Sequence, residues 1–165
     1  MFKMLDLFCL DAMSESPLIT RNLDQVLEKI AVAAEVAGRS IEEIQLVGVT
    51  KYVNTDVARM LFEAGCSTLG ESRPQELWRK SDCLDTLSVN WHLIGHLQTN
   101  KVRRTLPQVA LIHSVDSVRL LEAIEKEAVR LSQRIRVLLE VNVSGDISKH
   151  GFLPTAAERL IPKLV

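Results

Sequence analysis

Lys51 closes the apolar run Leu46, Val47, Gly48, Val49, which is too short for a helix and β-branched enough for a buried strand. The C-terminal end of such a strand is where α/β proteins place ligands and catalytic groups. A lysine there, at the mouth of apolar surroundings, offers the nucleophilic amine that a Schiff base with a carbonyl compound requires. From position alone, the commoner reading is a lysine that merely reaches solvent from a strand end. Lys149 lies in SGDISKHG at 144–151, a polar loop bracketed by Gly145 and Gly151 after the clearest strand of the chain. Taken by itself, that loop is an ordinary surface connection.

The histidines give no ligand set by spacing. His92 and His96 in WHLIGH are four apart, a metal spacing on a helix, but on an extended segment they lie about 13 Å apart and cannot share an ion. His113 and His150 have no cysteine or carboxylate spacing around them, so pocket lining or packing is expected and no metal. Cys66 follows a helix-stop glycine without a partner histidine and reads as a packed thiol. Lys101, Arg103 and Arg104 form a compact basic cluster without interleaved aromatics, the pattern of a solvated helix face.

The whole composition narrows the field further. With 165 residues, 47% hydrophobic and 25% charged, the chain is long enough for one domain with a real core and too apolar for disorder. Twenty Lys and Arg against 21 Asp and Glu leave a net charge of −1, so no general field holds a nucleic acid or an anionic membrane. No apolar run approaches the roughly 20 residues that span a bilayer. Residues 1–13 are interrupted by Asp6 and Asp11 and make a poor secretion signal; Met13 is an equally good start. Cys9, Cys66 and Cys83, odd in number and without CxxC spacing, indicate a reducing compartment and a cytoplasmic location.

These residues need elements to hold them. Thr20 is a plausible N-cap for a helix with Leu23, Val26, Leu27, Ile30, Ala33 and Ala34 on one face, stopped by Gly38. After the strand at 46–49 come a helix from Asn54 or Thr55 to Gly65, a strand at 68–70, a helix opened by Pro74 and a strand at 91–95. A small helical segment at 100–106 and a strand at 110–114 follow, then a helix capped by Asp116 with Leu121, Ile124, Ala128 and Leu131 inward. RVLLEVNV at 136–143 is the fifth strand, and Thr155 with Glu158 forms a capping box for a last helix ended by Pro162. This alternation fits a closed barrel or an open doubly wound sheet. No GxGxxG or P-loop favours the open sheet, while a barrel needs eight strands and five are counted.

Five segments, LVGVTK at 46–51, GES at 70–72, WHLIGHLQTNK at 91–101, HSVDS at 113–117 and VNVSGDISKHG at 141–151, together resemble the pyridoxal phosphate (PLP) homeostasis proteins. That family is a single-domain one whose barrel is similar to the N-terminal domain of alanine racemase. The resemblance implies an α/β fold of the (β/α) TIM-barrel type, incomplete here with about five strands, occupying 21–165 behind an N-terminal extension at 1–20. It implies PLP as cofactor, held as a Schiff base on Lys51, with Lys149 of the SKxG motif as a secondary contact. Ser72 stands where the family usually has asparagine in GEN, which changes a polar pocket contact, and Thr50 replaces the more usual serine. A carrier for intracellular PLP homeostasis is implied, without catalytic residues, and PLP-dependent apoenzymes are its possible partners.

Family members carry a phosphate cradle and an arginine near the pyridine nitrogen on later strands, whereas this sequence ends at Val165, about where a sixth strand should begin. Weaker PLP binding is therefore expected, as charged contacts are worth about 1.5–3 kcal/mol each. Open strand edges also make self-association an expected hazard. Two other readings stand beside the carrier: a barrel scaffold or interaction protein that no longer binds PLP well, and an enzyme acting through Lys51.

Overall fold

The computed structural model describes residues 7–163, and their side chains from Ser16 to Pro162. Five strands, β1 (Gly48–Val49), β2 (Thr68–Glu71), β3 (Asn90–Leu93), β4 (Leu111–Val115) and β5 (Arg136–Leu139), form one sheet. Each strand pairs in parallel with the next in sequence, in the order β1-β2-β3-β4-β5. A doubly wound sheet reverses its order at a switch point, and this one never does. The order is that of a (β/α) barrel, with β1 and β5 as edges among the described strands.

Helices α1 (Leu7–Val36), α2 (Thr55–Glu63), α3 (Pro74–Cys83), α4 (Val102–Thr105), α5 (Val118–Leu131) and α6 (Pro154–Leu160) complete the alternation. Local chemistry sets most of their ends. The Asn54 side chain accepts the Val57 amide at the start of α2, Pro74 occupies the first turn of α3, and Gly65 takes φ +112° after α2. Three expected caps are corrected. The Thr20 hydroxyl donates to Ser16 O inside α1 instead of capping a helix, because a mid-helix threonine can bond the preceding turn. The α5 cap is Ser117, whose hydroxyl accepts the Leu120 amide, and Asp116 is left for another task. Leu153 precedes α6, and no side chain caps it. The expected boundary between residues 20 and 21 falls inside α1, and residues 1–6 lie outside the described residues.

One sheet face meets the helices. Leu69, Trp91, Leu93 and Ile112 are buried there with Leu77, Leu120 and Ile124 from α3 and α5. Burying each such side chain contributes about 1.5–3 kcal/mol. A Cβ on Gly48 would lie 2.7 Å from the Leu61 side chain, so the glycine lets α2 approach β1 closely. By strand alternation the opposite face presents Val49, Gly70, His92, His113 and Leu138. Val49 is 51% and Leu138 48% exposed, so that face opens at the two edges.

Candidate functional site

Lys51 lies two residues past the end of β1, after Thr50, at the C-terminal edge of the sheet, and is exposed. Its ammonium stands 5.0 Å from the centre of the Tyr52 ring. The apolar mouth expected around this amine is not what the structure presents: Tyr52 on one side is 90% exposed, and only Thr50 on the other is buried. What holds Lys51 lies beneath it. The buried Lys80 amine, reaching up from α3, donates to Thr50 O at 2.7 Å and to the Glu71 carboxylate at 2.5 Å. Thr50 Oγ1 donates to the same Glu71 oxygen at 2.8 Å, and the Thr50 amide is bonded to Gly70 O. A fully buried ion pair thus clamps the peptide unit from which Lys51 springs.

Ser72 follows β2 at the level of Lys51, since Val49 pairs with Gly70 two residues earlier along each segment. It is half-buried, and its carbonyl crowds Gly95: a Cβ there would stand 2.2 Å from Ser72 O. Ser114 Oγ donates to Gly95 O at 2.5 Å, fixing the turn after β3 to β4. Lys149 is exposed in the loop after β5. That loop is organised by Asn142, whose amide donates to Asp146 O and whose oxygen accepts from Ser144. These bonds explain why strand five stops at Leu139 although RVLLEVNV runs to Val143. The second half of that segment serves the loop, with Val141 bridged only to Phe152. Lys51, Ser72 and Lys149 share one edge of the sheet. Lys51 and Ser72 are neighbours, whereas Lys149 stands at the far side beyond β5.

The open face carries a histidine pair. His113 Nε2 and His92 Nδ1 are 3.0 Å apart, one ring donating and the other accepting. Burial pushes both imidazoles below their ordinary value, and His113 and Arg136 push His92 further in the same direction. His92 and His96 do not meet, as the extended spacing implies. His96 turns instead to Asp116, with Nδ1 2.9 Å from Oδ2. Cys66 is a packed thiol raised chiefly by burial, as expected. The basic cluster does have an aromatic neighbour: the Arg104 guanidinium lies 4.4 Å from the Trp78 ring centre. Lys80 and Glu71 were not singled out in the sequence, where Lys80 is one more charge in WRKSD. The signal available was its position on the inward side of a helix with Leu77.

The sequence model described as alanine racemase, N-terminal domain, matches residues 22–165. The chain belongs to this family. Among relatives of the alanine racemase N-terminal domain family, the pyridoxal phosphate homeostasis protein of Aquifex aeolicus is 41% identical over 138 residues. That match covers 84% of this chain and 60% of the relative, so the chain spans about three-fifths of that curated relative's length. A crystal structure of an unknown protein from Bifidobacterium adolescentis superposes with a TM-score of 0.82 at 36% identity, covering 92% of this chain and 65% of that one. PipY of Synechococcus elongatus with PLP bound superposes with a TM-score of 0.70 at 32% identity, covering 82% and 63%. The barrel-type α/β fold and the family resemblance read from the five motifs are thereby borne out. Among the described residues no helix is long and apolar enough to cross a membrane.

Proposed function

We propose that this chain binds PLP covalently through Lys51 and serves in cytoplasmic PLP homeostasis as a carrier, delivering the cofactor to PLP-dependent apoenzymes rather than turning over a substrate. The observation that carries the reading is an exposed lysine amine at the C-terminal edge of a barrel-order sheet, on a peptide unit clamped by the buried Lys80–Glu71 pair. Among the described residues no carboxylate is paired with that amine, so nothing has to be displaced before an aldehyde approaches. PLP supplies the aldehyde: the Lys51 nitrogen bonds its carbon and the aldehyde oxygen leaves as water. Lys51 holds the cofactor, Thr50 and Glu71 fix the direction from which the amine presents itself, and Ser72 offers a polar side chain at the same level. Lys149 provides a cation for an anionic group at the far rim.

The names of the pyridoxal phosphate homeostasis relatives and the PLP bound to PipY support this assignment. The test is to incubate the full 165-residue chain with PLP, reduce with borohydride and locate pyridoxyl adducts by peptide mass. Stoichiometric adduct on Lys51, abolished in Lys51→Ala and only reduced in Lys149→Ala, is the expected result. Scattered or absent adducts on folded chain would overturn the carrier reading and leave a scaffold that acts through partners.

A further inference from the structure

Three loops on the C-terminal rim bring together residues that the PLP reading does not use. His96 follows β3, Asp116 lies between β4 and α5, and His150 lies in the loop after β5. His96 Nδ1 is 2.9 Å and His150 Nδ1 3.7 Å from the same oxygen, Asp116 Oδ2. One ligand atom from each of the three lies within 4.8 Å of the others. The two imidazole rings are stacked, 4.4 Å between centres and 16° from parallel. We propose that His96, Asp116 and His150 form a binding site for a divalent transition metal, zinc being the ion that fits best.

The donor set selects the ion. Imidazole nitrogens suit zinc, copper, nickel and iron, whereas calcium and magnesium take oxygen ligands. Two imidazoles and one carboxylate, with a fourth position open to water, make a common open zinc arrangement. Zinc bonds of about 2.0–2.1 Å at tetrahedral angles put ligand atoms roughly 3.3 Å apart. The two separations to Asp116 Oδ2, 2.9 and 3.7 Å, bracket that value. A simple ion pair would account for His96 alone. It gives no reason for a second imidazole to stack on the first with its nitrogen turned to the same oxygen, where two N–H groups would converge. A single cation replaces both hydrogens.

The backbone under each ligand is held independently of any ion. Gly95, next to His96, is pinned between Ser72 O and the Ser114 hydroxyl. Asp116 precedes the Ser117 cap of α5 and its side chain is 9% exposed, while His96 and His150 are 42% and 63% exposed. The carboxylate is seated in the rim, and solvent gives the ion its entry path. Asn142 orders the loop that ends at His150, with its amide also toward Lys149 O. An ion at this site staples the loop carrying Lys149 to the turns after β3 and β4. None of the three ligands is a residue assigned to PLP.

The test is metal binding by the full, tag-free chain. Titration with Zn²⁺ against a chromophoric chelator should give one equivalent bound with a dissociation constant in the micromolar range or tighter. Co²⁺ should give visible ligand-field bands without thiolate charge-transfer absorption. Losing even an outer-shell partner of a zinc site costs about 10- to 100-fold in affinity, so His150→Ala and His96→Ala should each weaken binding at least about tenfold. His150 is well exposed, so its variant tests the site even if Asp116→Asn fails to fold, and circular dichroism checks that each variant is native. No stoichiometric uptake by folded chain would overturn the proposal. So would affinity unchanged in both histidine variants, or binding lost in Cys83→Ser instead.

Discussion

Replacing Lys80 by Met tests the clamp beneath Lys51. Methionine keeps nearly the length and volume of the side chain and removes only the ammonium. Lys80 and Glu71 are each 1% exposed, so the variant leaves a carboxylate buried without its cation, and Thr50 O loses its 2.7 Å donor. Breaking a buried pair from one side costs about 3–5 kcal/mol. With about 2.1 cal/mol/K of unfolding entropy per residue, a 165-residue chain has a total of roughly 350 cal/mol/K, so Tm should fall by about 9–14 °C. Thermal and urea unfolding followed by circular dichroism measure both quantities. The double variant Glu71→Gln/Lys80→Met should recover more than half of the loss, because the glutamine amide is neutral and can donate to Thr50 O. A drop in Tm of less than about 3 °C for Lys80→Met would equal the value of a surface pair and would refute the buried clamp. If the clamp also aims Lys51, the single variant should show less Lys51 pyridoxyl adduct at temperatures where it remains folded.

The His92–His113 pair makes stability depend on pH. Both imidazoles are lowered in the folded chain from an ordinary value of 6.5, so below about that pH the unfolded chain binds more protons. Their contribution is complete above about pH 6.5 and is lost as pH falls through the depressed folded values; urea unfolding from pH 8 to 5 should show the decline, and His92→Gln should flatten it. A wild-type slope that His92→Gln leaves unchanged would contradict the assignment. Gly95→Ala should destabilise by more than about 2 kcal/mol, because its Cβ would meet backbone at Ser72 O. Gly38→Ala, at φ +63° with open space around it, should cost only the left-handed penalty of about 1–2 kcal/mol. Urea unfolding of the two variants gives the order, and Gly38→Ala proving the costlier would refute it.

Strand positions were readable because β-branched runs such as LVGV and LIHSV sit between strong helix signals. Gly38, Gly65 and Pro74 punctuate the chain where the backbone needs a left-handed residue or a helix start. Caps were less readable: Asp116 and Ser117 are both good capping residues, and only the position of His96 shows why the serine caps and the aspartate does not. Lys51 could be singled out because its chemistry follows from its place along one strand. The Thr50–Glu71–Lys80 clamp and the His96–Asp116–His150 group are assembled across elements up to 54 residues apart in sequence, as for His96 and His150. No linear spacing encodes such a meeting. It follows from parallel register, which places successive strand ends side by side.

The strictly sequential strand order bears on how the chain acquires its structure. Paired residues in neighbouring strands are separated by only about 20 to 25 positions, from Gly48 and Leu69 to Ile112 and Val137. Each of the described strands can therefore dock as soon as its predecessor is in place, since every pairing among them is with the strand next in sequence. Parallel sheets are otherwise slow to form, because long loops must be closed before any pairing is rewarded. Here growth can proceed from one end during synthesis, at about 5–20 residues per second, adding one strand and one covering helix every few seconds. The hazard in that scheme is the growing edge, which exposes an unpaired strand at each stage until the next one arrives.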